Sequence, residues 1–129
     1  NWGRIINVTS IAVKQPIDGL ILSNTARAGV LGLAKSLANE LAPFSITVNS
    51  VCPGYTLTDR VRGLAKVMAE KEGTSPEAVT ARWEASIPMK RLGTPEEFAA
   101  LVAFLASEQA GYITGAAIPI DGGWYRGLQ

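Results

Sequence analysis

The sequence predicts an α/β chain built on a parallel sheet, and three observations point there. Three short stretches, "GRIINVTS" at 3–10, "SITVNSVCPG" at 45–54 and "GAAIPIDGG" at 115–123, are strand-like and apolar. Segments with helical spacing separate them, and strands joined across helices run parallel. Two helix-start signatures, Ser75-Pro76-Glu77 and Thr94-Pro95-Glu96-Glu97, set a capping hydroxyl ahead of a first-turn proline.

Each element follows from its residues. Ile5, Ile6 and Val8 stand in near-continuous apolar order, so 3–10 reads as a strand buried on both faces. Residues 11–21 hold Pro16 and Gly19 and read as a loop. Over 22–42, Leu22, Ala26, Val30, Leu33, Leu37 and Leu41 recur every three or four residues, giving a broad apolar helix face that Pro43 ends. Ile46, Val48 and Val51 form the next strand, broken by Pro53-Gly54. Residues 56–72 read as a charged helix, and 74–86 and 94–109 as capped helices. The last strand closes the order β-α-β-α-α-α-β. Three strands make a small sheet with an edge that wants more partners. That shortage, and an opening on Asn1 that runs almost directly into a strand, predict a fragment of a larger domain.

Composition narrows the function classes. The 129 residues fit one domain, and 47% apolar content supplies a core. A net charge of +1 with scattered lysines argues against a nucleic-acid footprint. No apolar run approaches the ~20 residues of a membrane span. The lone Cys52 forms no internal disulfide and reads as a buried small hydrophobe, which leaves a cytoplasmic setting as the default expectation. Histidine is absent, so the chain holds neither a Ser-His-Asp triad nor a His metal site. Asp18, Asp59 and Asp121 lie far apart, and no metal is assigned.

Taken in series, "GRIINVTS", "ARAGVLGLAKSLANELA", "ITVNSVCPGYTLTD", "GTPEEFAALVAFLAS" and "YITGAAIPIDGGW" resemble the C-terminal half of a short-chain dehydrogenase/reductase. The similarity is greatest to the 3-oxoacyl-(acyl-carrier-protein) reductase branch and covers essentially the whole chain. The resemblance implies the C-terminal portion of a Rossmann-like doubly wound parallel sheet. It also implies a parent that uses NAD or NADP on a small-molecule substrate. The family's dinucleotide site needs a glycine turn between a strand and a helix. Gly29 and Gly32 lie inside the predicted helix, and Gly122-Gly123 follow the last strand. Tight cofactor binding by this chain alone is therefore not expected. The missing N-terminal half, or a homologous subunit, becomes an implied partner.

The resemblance assigns the site residues. Ser10, at the end of the first strand, matches the family serine that hydrogen-bonds the substrate oxygen. Thirteen residues on, Ser23 stands in the slot of the family's general-acid tyrosine, and Arg27 stands four residues later in the slot of its ribose-binding lysine. Pro53, Gly54, Thr56 and Thr58 answer to the loop that meets the nicotinamide amide. Residues 59–90 answer to the variable substrate lid. Val61, Leu64, Val67, Met68, Trp83 and Ile87 of that segment either cover an acyl chain or pack as core. Arg91 and Leu92 read as structural.

The two replacements change the chemistry. A phenol, with a reference pKa of about 10, can be tuned toward neutrality, whereas an alkyl hydroxyl is a far weaker acid and shorter. A guanidinium keeps the charge and can hold ribose hydroxyls but does not relay a proton. Loss of a positioned general acid costs on the order of 10²–10⁴ in rate. Water or Tyr55 are the candidate substitutes, although the family often carries a non-catalytic aromatic at the Tyr55 position.

Three functions remain open on the sequence. The first is an oxidoreductase-family chain with an altered catalytic motif. The second is a serine-dependent esterase in which Lys14 or Lys35 serves as base to Ser10 or Ser23. The third is a non-catalytic binding or assembly protein. The helix at 22–42 and the final strand with "DGGW" correspond to the family's two subunit interfaces, so a homo-oligomer is expected.

Overall fold

The computed structural model describes residues 2–128. Its sheet has three parallel strands in the order β1 (Gly3–Val8), β2 (Ile46–Pro53) and β3 (Ala117–Ile120). The registers pair Ile5 with Val48, Val8 with Val51, and Val51 with Ile118. A short 3-10 turn, Ile11–Val13, follows β1 and leads through a loop into α1 (Ile21–Leu41). After β2 come α2 (Asp59–Glu72), α3 (Pro76–Ser86) and α4 (Pro95–Ala106). The predicted order of elements holds throughout.

The central strand β2 is buried on both faces, as its apolar sequence requires. On one face Val48 meets Ala34 and Ala38 of α1. On the other, Val51 packs with Leu105 of α4 and Ala110, joined by Ile6, Leu101 and Ile118. Two helices thus cover opposite faces of the sheet. A third cluster, Ala65, Ala69, Val79, Trp83, Ile87 and Leu92, joins α2 to α3 beyond the sheet. Fully burying side chains such as Leu105 or Ile87 contributes ~1.5–3 kcal/mol each.

Several expectations need correction. β1 is not buried on both faces: Ile5 and Val8 are exposed. Among the described residues the strand pairs with β2 alone, which leaves its outer edge open; Ile5 is partly covered at 37% exposure, and Val8 opens onto the cleft described below. The buried face of α1 is narrower than the leucine pattern suggested. Ala34 and Ala38 contact the sheet, Val30, Leu37 and Leu41 are half-buried, and Leu22, Ala26 and Leu33 point outward. Small side chains let the helix backbone approach the strands closely, so alanines rather than leucines occupy the contact. The helix predicted from 56 starts only at Asp59, because Thr56 bridges to Gly93 and Thr58 serves as the cap, accepting from the Val61 N–H at 3.3 Å.

The caps at Ser75 and Thr94 form as predicted. Thr94 makes a reciprocal capping box with Glu97: Glu97 N–H donates to the Thr94 hydroxyl at 3.2 Å, and Thr94 N–H donates to the Glu97 carboxylate at 2.9 Å. No helix among the described residues is long and apolar enough to cross a membrane.

Candidate active site

The strand ends build the site. Parallel β/α sheets leave a crevice beyond the carboxyl ends of their strands. Pairing of β1 with β2 runs on through Thr9, whose N–H donates to the Val51 carbonyl at 2.9 Å. The chain then turns at Ser10, whose hydroxyl accepts from the Ala12 N–H at 3.1 Å and so starts the 3-10 turn. β2 ends in the same way. Gly54 N–H donates to the Ile120 carbonyl at 3.0 Å, and the chain leaves the sheet. A side chain on Gly54 would place its Cβ 2.8 Å from the Cβ of Asp121, so only glycine fits that exit.

Between these ends lies an open cleft of about 460 Å³. It gathers Ser10, Arg27, Pro53, Gly54, Thr56 and Thr58, which are six of the seven predicted site residues. The seventh, Ser23, is held to Arg27: the Arg27 Nε donates to the Ser23 hydroxyl at 3.0 Å. The four-residue spacing on α1 puts the two side chains on one face, one turn apart. Arg27 also donates through Nη1 to the Thr9 carbonyl at 2.6 Å, tying α1 to the end of β1. A second tie holds the intervening loop, with Asn24 Nδ2 donating to the Ile17 carbonyl at 3.0 Å.

Other candidates fall elsewhere. Tyr55 stacks on Trp83 with ring centroids 4.7 Å apart and planes within 12°, and it does not line the cleft. Burial pushes its phenol pKa up, away from the range a general acid needs near neutrality. Tyr55 is therefore part of the α2–α3 core. Neither lysine proposed as a base is brought to a site serine. Lys35 donates to the Gly115 carbonyl at 3.3 Å, and Lys14 lines a separate groove beside β3.

Cys52 is buried, 3.3 Å from the Thr9 hydroxyl, and burial raises its thiol pKa. Of the proposed lid residues, Trp83 and Ile87 are core and Val61 and Met68 pack against it, while Leu64 and Val67 are exposed. Arg91 and Leu92 are structural as predicted: Leu92 is buried, and Arg91 forms a two-pronged ion pair with Glu97 at 2.6 and 2.8 Å.

Sequence reasoning missed three contributors. The Thr9 carbonyl anchors Arg27, Arg60 enters the cleft wall from the first turn of α2, and Phe98 closes it from α4. Arg60 was within reach, since it lies two residues after the predicted Thr58. Phe98 comes from a distant element and had no local signal.

The residues fit the nicotinamide side of a dinucleotide better than its phosphates. The cleft sits at strand ends and carries hydroxyls and a cation. Among the described residues, however, no glycine-rich turn joins a strand to a helix: the β1–α1 and β2–α2 connections hold one glycine each, Gly19 and Gly54, while Gly29 and Gly32 are inside α1 and Gly122 and Gly123 follow β3.

Comparison with known proteins identifies the family. A family profile described as enoyl-(acyl carrier protein) reductase matches residues 1–125. The acetoacetyl-CoA reductase of Rhizobium meliloti is 45% identical over 125 residues, covering 96% of this chain and 47% of that protein. The 3-oxoacyl-(acyl-carrier-protein) reductase of Aquifex aeolicus is 40% identical over 124 residues, covering 96% and 46%. Among solved structures, an NADPH-bound short-chain oxidoreductase from Pseudomonas aeruginosa, described as containing an atypical catalytic center, superposes with a TM-score of 0.82. It is 33% identical and covers 97% of this chain and 47% of that one. The chain thus spans about half the length of the relatives it matches. With fold, strand-end cleft and family profile in agreement, the chain belongs to the short-chain dehydrogenase/reductase family and is 3-oxoacyl-reductase-like.

Proposed function

We propose that this chain forms the substrate-side wall of an NAD(P)-dependent carbonyl reductase whose proton donor is not the family phenol. It corresponds to the C-terminal half of the parent, with the dinucleotide phosphates held by the other half. The observation that carries this reading is the single cleft that collects Ser10, Arg27 and the 53–58 loop and holds Ser23 through Arg27.

In this reading Ser10 presents its hydroxyl hydrogen to the carbonyl oxygen of a 3-oxoacyl-type substrate. One of its lone pairs is already engaged by the Ala12 N–H, which narrows the directions open to that hydrogen. Arg27 supplies a fixed positive charge beside the reacting oxygen and hydrogen-bond donors for ribose hydroxyls. Ser23 orients Arg27 and does not reach the oxygen, so the proton arrives from water admitted by the open cleft. Thr58 caps α2 and offers its hydroxyl hydrogen to the nicotinamide amide. When bound, the nicotinamide supplies hydride.

The outward face of α1, with Leu22 and Leu33 exposed, supports a homo-oligomer formed through that helix. The test of function is NADPH and NADH oxidation by the full-length protein with an acetoacetyl thioester. A slow, substrate-dependent rate that falls at least tenfold in Ser10→Ala supports the reading. A rate unchanged by Ser10→Ala contradicts it.

A further inference from the structure

We infer that Arg91 and Glu97 are positioning residues for the cofactor loop: their ion pair fixes the turn at 91–94, and that turn holds the 53–58 loop where it meets the nicotinamide. This deepens the reductase reading and rests on it for what the loop binds. Neither side chain lines the strand-end cleft, so both act through the backbone between them and the loop.

Each link is a hydrogen bond. The Glu97 carboxylate accepts from Arg91 Nη1 at 2.8 Å, from Arg91 Nη2 at 2.6 Å and from the Thr94 N–H at 2.9 Å. Arg91 Nη1 also donates to the Leu92 carbonyl at 3.1 Å. One carboxylate thus grips the turn on both sides of Gly93. Gly93 in turn meets the loop through both of its backbone polar groups. Its N–H donates to the Tyr55 carbonyl at 3.0 Å, and its carbonyl accepts from the Leu57 N–H at 2.8 Å. These two bonds make a parallel bridge at Thr56 that lies outside the three-stranded sheet.

The middle of the loop has little other support. Gly54 is anchored to the Ile120 carbonyl, Tyr55 is stacked on Trp83, and Thr58 caps α2. Between these anchors, Thr56 and Leu57 make no backbone hydrogen bond beyond the loop except to Gly93, among the described residues. A cavity of about 160 Å³ lies behind Thr56, walled by Arg91, Gly93, Glu97, Phe98 and Ile120. Packing contacts are therefore missing on that side of the loop. Thr56 lines both this cavity and the cleft, so a shift of the bridge is felt at the site. Two parallel guanidinium–carboxylate bonds fix a direction as well as a distance, which a lysine ammonium would not.

The test uses the full-length protein. Arg91→Gln and Glu97→Gln each break the fork, and the glutamine at 97 still offers an oxygen to the cap of α4. Arg82→Gln breaks an ion pair with Glu72, made at 2.7 Å away from the loop, and controls for general loss of stability. Amide exchange at Leu57 and Gly93 is read by NMR, and the dissociation constant of NADPH by calorimetry. In Arg91→Gln and Glu97→Gln, exchange at both amides should quicken about fivefold and NADPH should bind about fivefold more weakly. The β2 amides and the Arg82→Gln protein should keep their original values, and Arg91→Lys should fall between. Exchange or NADPH affinity left unchanged by Arg91→Gln overturns the inference, as does an equal change in Arg82→Gln. An unsubstituted protein that binds no NADPH removes the reductase reading instead, and the exchange rates at Leu57 and Gly93 then still decide whether the ion pair holds the loop.

Discussion

Arg27→Met is the perturbation that reports most directly on the site's construction. The substitution keeps an apolar stem and removes both guanidinium bonds, to the Thr9 carbonyl at 2.6 Å and to the Ser23 hydroxyl at 3.0 Å. Hydrogen bonds to charged groups are worth about 1.5–3 kcal/mol when well buried. Arg27 is half-buried and its cleft is open, so water replaces part of each bond. A net loss of about 2 kcal/mol follows. Ser23→Ala removes only the second bond and should cost about 0.5–1.5 kcal/mol. The double variant should cost less than the sum, with a coupling of about 0.5–1.5 kcal/mol, because both side chains serve one contact. Urea unfolding of the full-length protein measures all three through a lowered midpoint at constant slope. An Arg27→Met protein as stable as the parent, or strict additivity with Ser23→Ala, refutes the claim that this arginine ties α1 to the end of β1.

Other substitutions test separate parts of the account. Gly54→Ala drives a Cβ to 2.8 Å from the Asp121 Cβ and should destabilise by about 1–3 kcal/mol in a thermal or urea melt, whereas Gly63→Ala, whose Cβ would meet open space, should not. The Arg91 guanidinium, helped by the Thr94 N–H, holds the Glu97 carboxyl down to about 2 from an ordinary 4.5. A depressed carboxyl pKa stabilises the fold above its unfolded value and loses that contribution as pH falls. The stability gap between the parent and Glu97→Gln should therefore be full above pH 4.5 and shrink toward pH 2, and a gap that stays constant on acidification contradicts it. Leu22→Glu with Leu33→Glu places charges on the outward face of α1 and should lower the mass seen by light scattering, with an unchanged mass refuting an interface there.

The order of elements was legible because helix caps, Pro-Gly breaks and apolar runs are local signals. The box at Thr94 and Glu97 and the exit at Pro53-Gly54 both sit where their residue types require. The α1 contact face was misread because hydrophobicity ranks leucine above alanine, while close helix-to-sheet packing selects for small volume. The exposure of Ile5 follows from sheet order, which no local window contains. At the site, the four-residue spacing of Ser23 and Arg27 was legible, and their hydrogen bond follows from it because helical neighbours meet at that distance, although the bond itself came only with the structure. The stacking of Tyr55 on Trp83 joins residues far apart in sequence, and so the choice between structure and chemistry for Tyr55 needed the fold.

Restoring the family pair tests the central claim most directly. Ser23→Tyr with Arg27→Lys returns a tunable phenol and a lysine to one face of α1, beside Ser10 at the cleft. Stopped-flow or steady-state oxidation of NADPH with an acetoacetyl thioester compares the two proteins. The account predicts a gain in kcat on the order of 10²–10⁴ for the double variant, the range a positioned general acid supplies. An unmodified protein already as fast as the restored one would mean that another group delivers the proton, and would contradict the account.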